Sequence, residues 1–250
     1  MTKRNTQQRR NLIMQQLQQH GEITVEELVS RHQTSEVTIR KDLSELERSG
    51  LLIRKFGGAI PIPKEIVEDR PANEALESIG RSAASMIKDY SRVILDSGRT
   101  TTAIVPFLSG RQGLVVMTNS LDSANQLLAL EKPPSLLMTG GTYDPSSESF
   151  QGSVAEQSIS SYDFDYLFIG ADGIDLSRGT TTFNELRNLS RVMAQNARKV
   201  VVVAEASKVG RRIPNLELQW QDIHTLVTDS TLTDDQKDTI ESHGVEIKIA

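Results

Sequence analysis

Residues 35–50 read Ser35-Glu36-Val37-Thr38-Ile39-Arg40-Lys41-Asp42-Leu43-Ser44-Glu45-Leu46-Glu47-Arg48-Ser49-Gly50. The two faces of the helix they encode decide the character of the first domain. Ser35 is a good N-cap and Gly50 a stop signal, so the helix is expected to run to Ser49. At about 100° per residue, Ile39, Leu43 and Leu46 fall within roughly 60° of one another and make a buried stripe. Opposite them lie Val37, Arg40, Lys41, Ser44 and Arg48, a basic and hydroxyl-bearing face with one exposed valine. Such a face suits a DNA major groove, because arginine pairs bidentately with guanine, serine reaches phosphate or a base edge, and an apolar group meets a thymine methyl. A merely solvated helix face has the same charge pattern, so the flanking segments decide between the two.

Upstream, Leu12, Ile13 and Leu17 have helical spacing between Arg9 and Leu17, and His20-Gly21 ends the segment. Thr24 and Glu27 have capping-box spacing, which predicts a second helix over 25–31 with Leu28 and Val29 facing inward. Downstream, Leu51-Leu52-Ile53-Arg54-Lys55-Phe56-Gly57-Gly58-Ala59-Ile60 reads as two short strands around a Gly-Gly turn with cations at the bend. Three short helices followed by a basic hairpin make a winged helix-turn-helix.

The charge distribution agrees with that division. The 250 residues carry a formal charge of −5, yet residues 1–60 hold ten Lys or Arg against seven Asp or Glu, a local +3 that leaves −8 on the rest. A basic module on an acidic body fits a small anion-binding unit attached to something else. The chain has no cysteine, which excludes disulfides and thiolate metal sites. Mean hydropathy is −0.34, and no apolar stretch approaches the ~20 residues of a membrane helix. Met1–Gln8 lead into no apolar signal core, so a reducing cytoplasm is the expected location and no membrane the expected partner.

Pro61, Pro63 and Pro71 punctuate a polar stretch that continues neither a helix nor a central strand. The expected layout is therefore a DNA-binding module at 1–60, a linker at 61–73 and a larger domain at 74–250. In the larger domain, hydrophobic runs at 93–95, 114–117, 136–138, 167–169, 200–203 and 226–227 alternate with helical stretches. That alternation predicts an α/β domain built on a mainly parallel, Rossmann-like sheet with helices on both faces.

In such sheets ligands bind beyond the carboxyl ends of strands, where strand order switches. The first run opens into Asp96-Ser97-Gly98-Arg99-Thr100-Thr101-Thr102, whose small residues, hydroxyls and free N–H groups make a phosphate cradle. Thr118-Asn119-Ser120 and Thr139-Gly140-Gly141 follow the next two and are small enough for close backbone approach. Carboxylates and amides collect at Gly170-Ala171-Asp172-Gly173-Ile174-Asp175 and at Thr180-Thr181-Thr182-Phe183-Asn184-Glu185. Lys208 lies just beyond the run at 200–203. Five polar loops on one strand edge favour a real site that holds sugar hydroxyls while the first cradle takes a phosphate.

The N-terminal residues resemble the DNA-binding domain of DeoR-type bacterial repressors, through Ser35–Leu43, Leu46-Glu47, Gly50 and Arg54–Ala59. The resemblance implies that the third helix, with Ser35, Val37, Thr38, Arg40, Lys41, Ser44 and Arg48, reads bases, while Arg54, Lys55, Gly57 and Gly58 of the hairpin grip the backbone or minor groove. Residues 74–249 are similar to the DeoR sensor domain, itself similar to ribose-5-phosphate isomerase and glucosamine-6-phosphate deaminase folds. This implies phosphate around Asp96, Ser97, Gly98, Arg99, Thr100, Thr101 and Thr102. It implies sugar contacts from Thr118, Asn119, Ser120, Gly140, Gly141, Asp172, Gly173, Asp175, Asn184, Glu185 and Lys208. Two departures stand out: Arg99 where the family usually has a small hydroxyl residue, and Glu205-Ala206-Ser207-Lys208 where it usually has Asp-Ser-Ser-Lys.

Other chemistry finds little support. The four histidines show no paired ligand spacing, Gly140-Gly141 is no nucleotide fingerprint, and no Walker lysine loop is present, so neither a metal nor a cofactor is expected. Trp220 reads as packing. The leading expectation is a carbohydrate-operon repressor, working as a homo-oligomer on operator DNA and released by a phosphorylated sugar. The alternative is a phosphosugar isomerase or deaminase, with Asp172, Glu185 and Lys208 as acid–base groups. Against the enzyme stand the N-terminal module, useless to an isomerase, and Gly173 where an isomerase loop carries a second carboxylate.

Overall fold

The computed structural model describes residues 3–48, 51–55, 57–61, 72–145, 147–182, 188–211, 213 and 215–250, which form two compact units, Met1–Ala72 and Asn73–Ala250. Asn184 and Glu185, the expected end of the third helix at Gly50, and most of the expected linker lie outside the described residues.

In the first unit, helix α1 (Lys3–His20) leads to strand β1 (Ile23–Thr24), α2 (Val25–His32) and α3 (Glu36–Arg48). Strands β2 (Leu52–Lys55) and β3 (Gly58–Pro61) then form the antiparallel hairpin. β1 was not expected, and it completes a three-stranded sheet of order β1-β3-β2. Its pairing explains Gly58: a Cβ there would lie 2.2 Å from the Ile23 carbonyl oxygen, so only glycine lets the strands close. The capping box at Thr24 forms in both directions. Ile13, Leu17, Leu28, Ile39, Leu43 and Leu46 make the core as the wheel requires. Two inward assignments change: Leu12 is 47% exposed, its place taken by Met14, and Val29 is only half-buried.

Within this core sits an ion triad. Asp42 is 1% exposed, and its two carboxylate oxygens accept from Arg9 Nε at 2.6 Å and Arg10 Nε at 2.9 Å, tying α1 to α3.

The second unit opens with α4 (Ala72–Ala84), β4 (Arg92–Leu95), α5 (Arg99–Thr102), β5 (Val115–Thr118), α6 (Leu121–Leu128) and β6 (Ser135–Met138). A hairpin of β7 (Thr142–Asp144) and β8 (Ser149–Gln151) precedes α7 (Ser153–Ser160) and β9 (Phe164–Ile169). Then come β10 (Gly173–Asp175), β11 (Gly179–Thr182), α8 (Asn188–Gln195), β12 (Ala197–Val203), β13 (Asn215–Gln219), β14 (Thr225–Thr228), α9 (Asp234–Glu241) and β15 (Glu246–Ile249). Seven strands make one wholly parallel sheet of order β6-β5-β4-β9-β12-β14-β15.

All six expected runs are strands of this sheet. Their residues alternate between two cores: Ile94, Met117, Leu167, Val200, Val202 and Leu226 pack with α7, α8 and α9, whereas Val93, Leu95, Val116, Phe168, Val201 and Val227 pack with α4 and α6. Both faces are therefore buried, which is why the strands read as continuous apolar runs. The antiparallel sheet β10-β11-β13 lies outside that pattern, and it turns the expected polar loop Thr180-Thr181-Thr182 into a buried strand.

Asp42→Asn would leave Arg9 and Arg10 without their buried counter-charge, and breaking one side of a buried ion pair costs about 3–5 kcal/mol. Native-state hydrogen exchange of α1 and α3 amides should show a loss of that size in the full chain, and unchanged protection would refute the triad's role.

Candidate functional site

The expected DNA-facing residues gather on one side of the first unit's helix pair. Gln33, in the left-handed conformation at φ 45°, caps α2 and turns the chain sharply towards α3, whose first turn is capped by Ser35 Oγ accepting from Thr38 N. Ser35, Val37, Arg40, Lys41 and Ser44 are exposed and Thr38 is half-buried; of Arg48 only the backbone is described. Val37 is 77% exposed on a helix whose other large apolar side chains are buried, an exposure that a partner surface would relieve.

Three of the cations on this side have acidic neighbours. Arg40 donates twice to Glu36 Oε1, at 2.9 and 2.5 Å. Arg54 donates to Ser44 Oγ at 2.6 Å and faces Glu47, linking the hairpin to α3, and Lys55 pairs with Glu22. Gly57 sits exposed at the hairpin tip with φ 77°, whereas Gly58 is buried against β1.

In the second unit the decisive feature is strand order. From β4 the chain moves outward to β5 and β6, then returns to β9 on the other side of β4, so the reversal falls between the carboxyl ends of β4 and β9. Asp96 follows β4 and Asp172 follows β9. Asp96 Oδ1 accepts from Asn119 Nδ2 at 2.9 Å, and Asp172 Oδ2 accepts from Thr182 Oγ1 at 2.8 Å. Burial, with the Asp172 charge adding to it, pushes the Asp96 carboxyl up to about 6 against hydrogen bonds from Ser97 and Asn119.

A third carboxyl joins them from β13. Glu217 accepts from Ser190 Oγ at 2.8 Å and from Thr180 Oγ1 at 3.4 Å. Burial and the charges of Asp96 and Asp172 raise it to about 8 despite those bonds. Thr180 and Thr182 are two residues apart on β11 and share a face, which is how Glu217 and Asp172 come to the same side. Lys208, in a 3-10 turn after β12, has its pKa lowered by burial; Asp172 and Glu205 counter this while Arg211 and Arg99 add to it.

Other expected contacts are engaged locally. Thr101, wholly buried, donates to the Gly98 carbonyl at 2.7 Å, and Thr102 shares a hydrogen bond with Ser123; Thr100 is buried beside them. Ser97 is half-buried; Gly98, at φ 127°, and Arg99 are exposed. Thr118 Oγ1 accepts from Ser120 N, and Ser120 Oγ caps α6 by accepting from Ser123 N. Gly140 and Gly141 take left-handed conformations, and a Cβ on Gly141 would lie 2.5 Å from the Gln151 carbonyl oxygen. A Cβ on Gly173 would lie 2.7 Å from the Arg211 carbonyl oxygen. Asp175 is 1% exposed: burial raises its pKa, but hydrogen bonds from Ser177 and Arg178 outweigh this and hold it below the ordinary range. It braces the β10–β11 turn.

A DeoR-like helix-turn-helix domain matches residues 9–65, and a DeoR C terminal sensor domain matches residues 72–230. The chain belongs to the DeoR family. It is a DNA-binding transcriptional regulator. A protein of Escherichia coli O157:H7 named for repression of the aga operon is 39% identical, over 97% of this chain and 93% of its own. The transcriptional repressor AccR of Agrobacterium fabrum is 32% identical, over 90% of each chain. Ribose 5-phosphate isomerase A of Methanocaldococcus jannaschii overlays 56% of each chain with a TM-score of 0.42 at 17% identity.

What sequence reasoning missed in this DeoR-family chain is Glu217. Within Leu216-Glu217-Leu218 it has the alternation of a half-exposed strand, which points a carboxylate to water. The signal that could have found it is the matching hydroxyl periodicity of Thr180 and Thr182.

Two outcomes follow for the DeoR-family sites. Glu36→Gln should release Arg40 to phosphate, so non-specific DNA affinity rises and the slope of log affinity against log salt steepens by about one; an unchanged slope in anisotropy titrations would refute this. Glu217 has a folded pKa above its ordinary 4.5, so its stabilising contribution is full below about pH 4.5 and is lost as pH rises towards 8. In urea unfolding, the wild type should therefore lose on the order of a few kcal/mol relative to Glu217→Gln between about pH 5 and pH 8. Parallel pH profiles would contradict that.

Proposed function

We propose that this regulator represses a carbohydrate-utilisation operon and leaves its operator when a phosphorylated sugar binds beyond the carboxyl ends of β4 and β9. In this reading residues 1–60 bind DNA, 61–73 link, and 74–250 sense the effector and hold a homo-oligomer in the cytoplasm. One winged module offers little contact, and paired half-sites supply the rest.

The observation that supports the reading is that Lys208, just beyond β12, is acted on by the Asp172 carboxylate and by the Arg99 cation, residues that follow β9 and β4 on either side of the strand-order reversal. Lys208 and Arg99 give a phosphate its counter-charge, while Asp172, Asp96 and Asn119 offer acceptors and a donor to sugar hydroxyls. The buried threonines 100–102 shape the loop instead of touching the ligand. Arg40, Lys41 and Ser44 of α3 contact the operator, with Arg54 and Lys55 of the hairpin on its backbone. The ligand is sensed and not consumed.

The test is operator-binding anisotropy with a panel of sugar phosphates. An active compound must weaken operator binding, and by linkage the operator must weaken its binding by the same factor. Lys208→Met should still hold the operator but need about tenfold or more sugar phosphate for release. A wild-type response in that variant would sink the phosphate assignment. Turnover of a bound sugar phosphate at an enzymatic rate would favour the isomerase reading, for which the raised Asp96 and Glu217 carboxyls are suited as acid and base.

A further inference from the structure

We propose that the free edge of β6 and the outer flank of α6 form a self-complementary surface whose occupant is a second copy of this chain. This rests on the homo-oligomer reading above and names its surface.

The parallel sheet of the second unit ends in two edges that are built differently. On one side β15 reads Glu246-Ile247-Lys248-Ile249, and Lys248 Nζ donates to the Ser82 carbonyl and to Ser85 Oγ; charges of this kind discourage pairing with another strand. On the other, β6 reads Ser135-Leu136-Leu137-Met138 and carries no charge. In its register with β5, Ser135 N donates to the Leu114 carbonyl and Thr139 N to the Thr118 carbonyl, which turns the N–H and C=O of Leu136 and Met138 outward. Neither of these two N–H groups meets a partner among the described residues.

α6 continues the same surface. Its buried stripe is Ser123, Ala124 and Leu127. Leu121 and Leu128, a heptad apart and both exposed, lie within about 20° of each other and about 100° from that stripe. A right-handed β5–α6–β6 crossover turns this flank to the free side of β6. The flank, Leu121, Asn125 and Leu128, is uncharged as well. Two bodies of net −8 repel wherever their acids meet, so an uncharged apolar strip is where a second copy can approach.

A two-fold axis at Leu137 pairs Leu136 with Met138 of the second copy, and every outward N–H then finds a carbonyl. The neighbouring registers fail. Pairing Leu136 with Leu136 sets Met138 against Pro134, which has no N–H, and pairing Met138 with Met138 sets Leu136 against Gly140, which leaves the strand at φ 64°. Because α6 packs across β5 and β6, its axis lies about half a strand spacing inside β6, and the two-fold lies about as far outside. Two antiparallel α6 helices therefore run about 10 Å apart, the separation of packed helices. Leu121 of one copy meets Leu128 of the other, and the exposed Met138 lies cross-strand from Leu136.

The experiment is sedimentation velocity of the full chain over a micromolar concentration series, in which the wild type should associate. Leu128→Glu, at an exposed position, should weaken the contact about a hundredfold or more and halve the mass of the assembly, because two carboxylates are buried unpaired at once. Leu121→Lys should do the same alone. Combined in one chain, the two substitutions should restore association, since each lysine then faces the glutamate of the other copy. The chain has no cysteine, so Leu137→Cys supplies a single thiol at the two-fold and should give a disulfide-linked dimer on oxidation with diamide, whereas Ile249→Cys on the other edge should not. The charge pair decides even if Leu137→Cys does not fold. Wild-type mass in Leu128→Glu, no rescue in the double variant, or cross-linking at position 249 in place of 137 overturns the β6 surface and leaves a homo-oligomer through another face. A wild type that stays monomeric at micromolar concentration ends both readings.

Discussion

The strand-order reversal between β4 and β9 is the constraint from which the rest of the second unit follows. Right-handed crossovers leaving β4 in one direction and entering β9 from the other put their helices on opposite faces of the sheet. At the reversal the connections leave the two carboxyl ends in opposite directions, the arrangement that in open α/β sheets makes room for a ligand. Asp96 and Asp172 arrive there because each is among the first residues after its strand, and β11 and β13 bring Thr180, Thr182 and Glu217 in from the side. Asp96 and Asp172 thus follow inner strands of the seven-stranded sheet, whereas Thr180, Thr182 and Glu217 come from the small antiparallel one.

The first unit solves a different problem with the same chemistry. Its third helix keeps one face for the core and leaves a polar face exposed. Asp42 is the hinge between these demands, since it stands beside the exposed Lys41 yet is itself buried and bound by Arg9 and Arg10. A buried carboxylate with two guanidinium partners fixes the rotation of α3 about its axis more narrowly than apolar packing alone, because hydrogen bonds are directional. The acids that hold Arg40, Arg54 and Lys55 are exposed or half-exposed, and such pairs are worth little in water. They hold the cations in place without raising a large barrier to rearrangement.

How much of this could be read from the sequence depended on whether a residue's setting was local. The five inner strands were legible since double-sided burial leaves a continuous apolar run, and the capping box at Thr24 announces itself by spacing. β15, with Glu246-Ile247-Lys248-Ile249, alternates as an edge strand does and has no such run. β1 is two residues long and exists only because β3 lies beside it. Within the candidate site the positions after strands were visible, but their partners were not. Spacing does not reveal that the Thr101 hydroxyl donates to the Gly98 carbonyl, nor that Ser177 and Arg178 surround the Asp175 carboxylate. Glu217 lay hidden for the opposite reason, since alternation sends it to solvent and only the pairing of β13 with β11 turns it inward.

The uneven charge of the chain ties the two units together physically. A body of net −8 repels a polyanion, so DNA contact is confined to the basic module, and non-specific adsorption through the larger domain is suppressed. In the proposed reading the same negative field works against a phosphorylated effector, and Lys208, with the Arg99 and Arg211 charges acting on it, supplies the local positive charge that offsets it.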